Sequence, residues 1–151
     1  RGIAFVLRDG TYAAGVIKAT VTPSSGTVTV NEVYIAQDSG QVINPSNVRH
    51  QVESSVLQTM SRALHEELTF DTSNVTSDDW STYPIMAMAE TPATIQTVLI
   101  DNPSVSPTGV GEPAVNLIAP ALASAIFDAT GVHVRTLPLR PATVQAALGQ
   151  V

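Results

Sequence analysis

The sequence predicts an α+β domain: N-terminal antiparallel strands, a long amphipathic helix, a mixed sheet, and a second helix after a Gly-Val-Gly-Glu-Pro loop. Three observations predict it. The first forty residues are rich in Val, Ile, Thr and Tyr and are broken only by turn-formers. Residues 48–68 carry one apolar stripe at three- and four-residue steps, and residues 114–129 repeat that spacing with smaller side chains.

Strands are expected at Ile3 to Leu7, Tyr12 to Val21 and Val28 to Ile35, separated by Asp9-Gly10 and by Pro23-Ser24-Ser25-Gly26. Strict alternation in the third puts Val28, Val30 and Glu32 on one face and Thr27, Thr29, Asn31 and Val33 on the other. Asp38-Ser39-Gly40 turns the chain, Asn44 can cap a helix and Pro45 can occupy its first position. The stripe of Val48, Val52, Val56, Leu57, Met60, Leu64 and Leu68 then predicts a helix to Leu68. Residues 70–93 have no sustained period and read as an ordered surface loop. A strand follows at Thr94 to Ile100 and a Gly/Pro-rich connection at Pro107 to Pro113. The helix from Ala114 to Ala129 should end at Gly131 and be kinked or split at Pro120, because a mid-helix proline costs about 3 kcal/mol. A last strand at Val132 to Leu137 and a short helix at Pro141 to Leu148 complete a single domain over 1–151.

Composition narrows the function. At 151 residues and 44% hydrophobic the chain can bury one real core, yet only 13% of it is charged, against roughly 25% in ordinary domains, so part of its surface is expected to meet other polypeptide. A net charge of −6 with scattered Lys and Arg argues against phosphate-mediated nucleic-acid binding. No apolar run approaches the roughly 20 residues of a membrane span. Without cysteine the chain can hold no disulfide, thiolate nucleophile or thiolate-bound iron–sulfur cluster. The opening at Arg1-Gly2, directly in a strand pattern, suggests a piece of something longer.

Gly109-Val110-Gly111-Glu112-Pro113 is the most informative stretch. Its glycines permit close backbone approach, and Pro113 and the following helix place Glu112 at a helix start, where the macrodipole favours negative charge. An anionic group at a preset position suits proton abstraction. Alone, the same pattern is an ordinary first-turn charge. His50, His65 and His133 lack ligand spacing, so no protein-built metal site is expected. Glu66 and Glu67 point in different helical directions and read as a solvated face, while Trp80 and Tyr83 read as packing anchors of the long loop.

Five ordered blocks carry a resemblance: Asp38-Ser39-Gly40-Gln41-Val42-Ile43-Asn44-Pro45, Gln51-Val52-Glu53, Ala63-Leu64-His65-Glu66-Glu67, Gly109-Val110-Gly111-Glu112-Pro113, and Ala125-Ile126-Phe127-Asp128-Ala129-Thr130-Gly131. In that order and spacing, the chain resembles the C-terminal part of the molybdopterin-binding subunits of the xanthine dehydrogenase and aldehyde oxidase family, most of all the isoquinoline 1-oxidoreductase β-subunit type. The resemblance implies that Glu112 is the base that deprotonates the water-derived oxygen at molybdenum, and that Gln51 and Gly111 contact the cofactor. It departs at Ser54 and Thr59, where the family has glycines and where a hydroxyl can bond a helical carbonyl.

Further expectations follow from the resemblance. The cofactor is molybdenum–molybdopterin, with the cytosine dinucleotide as one candidate form, held mostly by other parts of the parent subunit. Partners are that remainder, a small iron–sulfur subunit and an aldehyde or N-heterocycle substrate. The compartment is periplasmic ahead of cytoplasmic. The alternative is a non-catalytic binding or assembly module of the same fold. A hydrolase built on paired acids finds no suitable spacing.

Overall fold

A computed structural model describes residues 1–149. Strands β1 (Gly2–Arg8), β2 (Thr11–Thr22) and β3 (Thr27–Asp38) form an antiparallel meander, and β4 (Thr94–Ile100) adds to β3 in parallel, giving a mixed sheet in the order β1-β2-β3-β4. A parallel neighbour requires a crossover, and helix α1 (Pro45–Leu64) with the loop after it supplies one. Helix α2 (Val115–Thr130) lies on β1 and β2, α1 packs between α2 and β4, and the short α3 (Pro141–Leu148) touches β3.

The β1–β2 hairpin closes through Asp9 (φ 50°) and Gly10 (φ 83°), and two left-handed residues in a two-residue loop match the twist of the flanking strands. In β3, strict alternation fails. The register slips between Lys18 and Ala19, leaving Asn31 as the extra residue, so Val33 joins Val28 and Val30 on the helix-covered face. That parity change delivers Val33, Ile35 and Gln37 to the core, where Ile17, Met60, Leu117 and Leu122 are also fully enclosed.

Asn44 caps α1 as expected, its Oδ1 accepting from Asn47 N at 3.0 Å with Pro45 in the first turn. The helix ends at Leu64, four residues short of the stripe. The His65 and Glu66 amides both turn back to Ser61 O, and Arg140 donates from Nε and Nη2 to His65 O at 3.0 and 2.6 Å. Pro120 does not split α2 into two elements. It lies on the exposed face one and a half turns in, where only the Asn116 carbonyl loses its donor, beside solvent. The strand expected at Val132 to Leu137 is absent. Val134 of this segment and Leu139 just beyond it pack inward, and Leu139 N donates to Ala63 O at 2.6 Å.

Only one face of the sheet is covered. The other presents Ile3, Phe5 and Leu7 of β1, Tyr12 of β2, and Val98 and Ile100 of β4; Ile3 is 70% and Phe5 66% exposed. The pairing register aligns these residues in rows across the strands, Leu7 beside Tyr12 and Phe5 beside Ala14, then Ala36 and Val98.

The long loop is ordered by its own polar groups and by a 3-10 turn at Met88–Glu90. Trp80 is 81% exposed and anchors nothing, whereas Tyr83 donates to Glu66 Oε2 at 2.9 Å. Glu66 and Glu67 are therefore not a plain solvated face, since Glu67 pairs with Arg140 at 2.7 Å. The Ser81 hydroxyl, followed by the Thr82 amide, the Thr82 hydroxyl and the Ser81 amide, holds the Asp79 carboxyl down to about 2 from its ordinary 3.8. A depressed carboxyl contributes fully above its ordinary value, and its contribution is lost as pH falls through the folded one. The Ser81 and Thr82 amide resonances should therefore titrate with a midpoint near pH 2. A midpoint near 3.8 would show that the turn does not hold in solution.

Candidate functional site

The connection from β4 to α2 carries Glu112. Its carbonyl accepts from Val115 N at 3.1 Å and from Asn116 Nδ2 at 3.2 Å, and two more three-residue bonds follow, so a tight turn precedes the first helical residue. Glu112 thus stands three residues ahead of α2 rather than inside its first turn.

Upstream of Glu112, between the Thr108 and Val115 amides, no main-chain N–H donates to a main-chain carbonyl among the described residues. Side chains replace the missing ladder. Thr11 Oγ1 donates to Gly109 O at 2.7 Å, Gln37 Nε2 to Val110 O at 3.4 Å, and Ser55 Oγ to Gly111 O at 2.7 Å. These donors come from β2, β3 and α1 and are 0%, 1% and 5% exposed. Because the Thr11 hydroxyl proton is committed to Gly109, the 2.6 Å contact with Thr108 must be a bond donated by Thr108. Gln37 Oε1 is buried with no partner, a cost of about 1–3 kcal/mol that a Met or Leu there would avoid.

The Glu112 carboxylate meets Arg8 Nη2, from the last residue of β1, while Arg8 Nε lies 3.4 Å from Asp9. Glu112 is 70% and Arg8 43% exposed, so the pair sits at the rim of an open polar cavity of about 490 Å³. Gln51, Ser54, Gln58 and Arg62 of α1 form one wall, with Gly111 and Asn116 opposite. A Cβ on Gly111 would come within 3.3 Å of Gln51 Oε1, and the Gln51 amide makes no side-chain hydrogen bond among the described residues. Gln51, Gly111 and Glu112 are therefore gathered around one concavity.

Other expectations fall differently. Ser54 lines this cavity, while Thr59 is buried and its Oγ1 finds no partner, so the expected bond to a helical carbonyl is not made. His133 stacks on Phe127 at 4.0 Å and His65 Nε2 lies 2.9 Å from Glu90. Among the described residues no group of three His, Cys, Asp or Glu could hold a metal ion. Sequence reasoning missed Arg8, Thr11, Gln37, Ser55 and Arg62, which reach the site only through strand pairing and helix packing over long sequence separations.

A family model described as a molybdopterin cofactor-binding domain matches residues 8–92, more than half of the chain. One of the subunits of nicotinate dehydrogenase from Pseudomonas putida is 42% identical over 91% of this chain, and the β-subunit of isoquinoline 1-oxidoreductase from Brevundimonas diminuta is 31% identical over 95%. The chain spans only 12% and 18% of those two proteins. Among solved structures, quinoline 2-oxidoreductase from Pseudomonas putida 86 has the same fold over 93% of this chain and 19% of its own, with a TM-score of 0.84 at 22% identity.

An ion pair as exposed as that of Arg8 and Glu112 contributes about 0.2–1 kcal/mol. Arg8→Met should accordingly change the free energy of urea unfolding by less than about 1 kcal/mol. A loss of about 3 kcal/mol would mean that the pair is part of the fold's interior.

Proposed function

The chain belongs to the molybdopterin cofactor-binding domain family, and on that premise we propose that it forms part of a larger molybdenum-dependent hydroxylase subunit in which Glu112 is the catalytic base. The observation that carries the reading is the meeting of Glu112, Gly111 and Gln51 at one cavity, with the base on a loop held from three sides. The residues fit the edge of such a cofactor: Gln51 has a free amide, and Gly111 lacks the Cβ that would crowd it. The cavity is open on the remaining sides, which supports a cradle completed by other polypeptide.

When bound, the molybdenum cofactor supplies the two-electron acceptor for oxidation of an electron-poor carbon in an aldehyde or N-heterocycle. Gln51 and Gly111 orient its pterin edge. Glu112 takes the proton from the water whose oxygen enters the product, and Arg8 provides the carboxylate with a cationic partner. This cysteine-free chain can ligate no iron–sulfur cluster itself, and the family resemblance implies that electrons leave through clusters on a small partner subunit. The uncovered apolar sheet face supports packing against the rest of the parent polypeptide, because an exposed array of Ile3, Phe5, Leu7, Val98 and Ile100 suits an interface better than water.

In the complete enzyme, Glu112→Gln should lower turnover by about 10²- to 10⁴-fold with molybdenum content unchanged. Unchanged turnover would instead favour a binding or assembly module. The 151-residue chain by itself should fold yet retain no molybdenum after purification, measured by metal analysis. Near-stoichiometric metal would show that this domain alone forms the cradle.

A further inference from the structure

The three carbonyls held by Thr11, Gln37 and Ser55 are consecutive, and they immediately precede Glu112. This stretch has no main-chain hydrogen bonds of its own, and neither Gly109 nor Gly111 is confined by a left-handed backbone. A Cβ on Gly109 would meet nothing within 4 Å. Left to itself such a segment would sample many conformations. Its path is therefore determined by side chains reaching it from β2, β3 and α1, three elements that share no turn or loop with it.

Burial sharpens the point. A hydroxyl in the core can be replaced by an apolar group of equal size with little penalty when its partner is removed too, yet here the partners are main-chain carbonyls that cannot be removed. Gln37 adds a second sign, since it keeps one amide atom bonded to Val110 O while the other goes unmet. Stability alone would select against that residue at a core position.

We propose that Thr11 and Ser55, assisted by the weaker bond from Gln37, are positioning residues that place Glu112 for proton transfer. They touch the backbone of the loop and not the reacting atoms, so their effect on the reaction passes through the location of the Glu112 carboxylate. The inference rests on reading Glu112 as the base. It adds that the base is located by hydrogen bonds from the sheet and α1 to the loop, more than by the start of α2.

The test uses the complete enzyme. Thr11→Val is nearly isosteric and removes the donor, Ser55→Ala removes the other strong one, and Thr11→Ser keeps the hydroxyl. Thr11→Val and Ser55→Ala should each lower kcat about 10-fold, and together about 10²-fold, because small misplacements of a reacting group carry losses of that order. KM should stay within about 2-fold and molybdenum content should not change, since ground-state binding is left alone. Amide exchange should rise at the bonded amides that flank the loop, Thr108, Val115 and Asn116, and nowhere else. Thr11→Ser should restore both rate and protection.

Adding Thr11→Val to Glu112→Gln should slow the enzyme no further, because the two changes remove one function. Additive losses would overturn the proposal. So would a rate unchanged despite raised exchange, or a rate that falls only in step with molybdenum content. If Glu112→Gln alone leaves turnover intact, the base assignment fails by itself, and the exchange data still report whether the loop is clamped.

Discussion

The close approach of α2 to the sheet is the contact on which the rest depends. A Cβ on Gly2 would collide with the Ala121 carbonyl oxygen and the Ala125 nitrogen, so β1 and the helix meet backbone against side-chain-free backbone. Ala114, Ala121 and Ala125 are completely enclosed, and their small size lets the helix sink. Leu117, Ile118, Leu122 and Ile126 then fill the space toward Ile17 and α1. A helix seated this tightly cannot slide, and the loop that leads into it inherits a fixed end at Val115. The other end is fixed where Thr108 N donates to Ser39 O at 2.9 Å. Glu112 lies between two anchors set by packing, with only the middle of the loop left to be determined.

Much of this was legible in residue order. The meander, the Asn44 cap, the long apolar helix and the existence of the fourth strand follow from period and punctuation, because those signals are local. The failures are local rules overruled by distant groups. The stripe runs on to Leu68, but Arg140, 75 residues beyond His65, takes the carbonyl that a longer helix would need. Val132 to Leu137 has strand composition, yet it joins neither edge of the sheet and Val134 instead packs inward. Alternation in β3 misassigned Val33 because one bulge residue reverses every side chain after it. At the site, Glu112, Gly111 and Gln51 were readable through ordered motifs, whereas Thr11 and Gln37 lie 98 and 73 residues from the carbonyls they hold, and a Thr in a strand looks like any other.

The apolar sheet face and the low charge describe one property of the molecule. Arg8, Gln51, Gln58, Arg62 and Glu112 gather at the cavity, and the uncovered sheet face carries its charge mainly as the Lys18–Glu32 pair of the two middle strands. That face keeps Ile3, Phe5 and Leu7 in a row at one edge, a long unpaired strand that a solitary soluble domain ordinarily blunts with charge. A two-faced sheet of this kind suits a layer inside a larger polypeptide, which agrees with the small share of the relatives' length that the chain spans.

The same magnitudes separate what is firm at the site from what is soft. Each hydroxyl-to-carbonyl bond contributes about 0.5–1.5 kcal/mol, and the two hydroxyls and the Gln37 amide act on the same three-residue stretch. The Arg8 pair, largely in water, is worth about 0.2–1 kcal/mol. The Glu112 backbone is thus held several times more strongly than its carboxylate. For a carboxylate proposed to accept a proton and then release it, that division is favourable: the hinge stays put while the charged end exchanges partners at low cost. A carboxylate clamped as firmly as its backbone would hold its position and lose the freedom to turn from Arg8 toward an incoming proton.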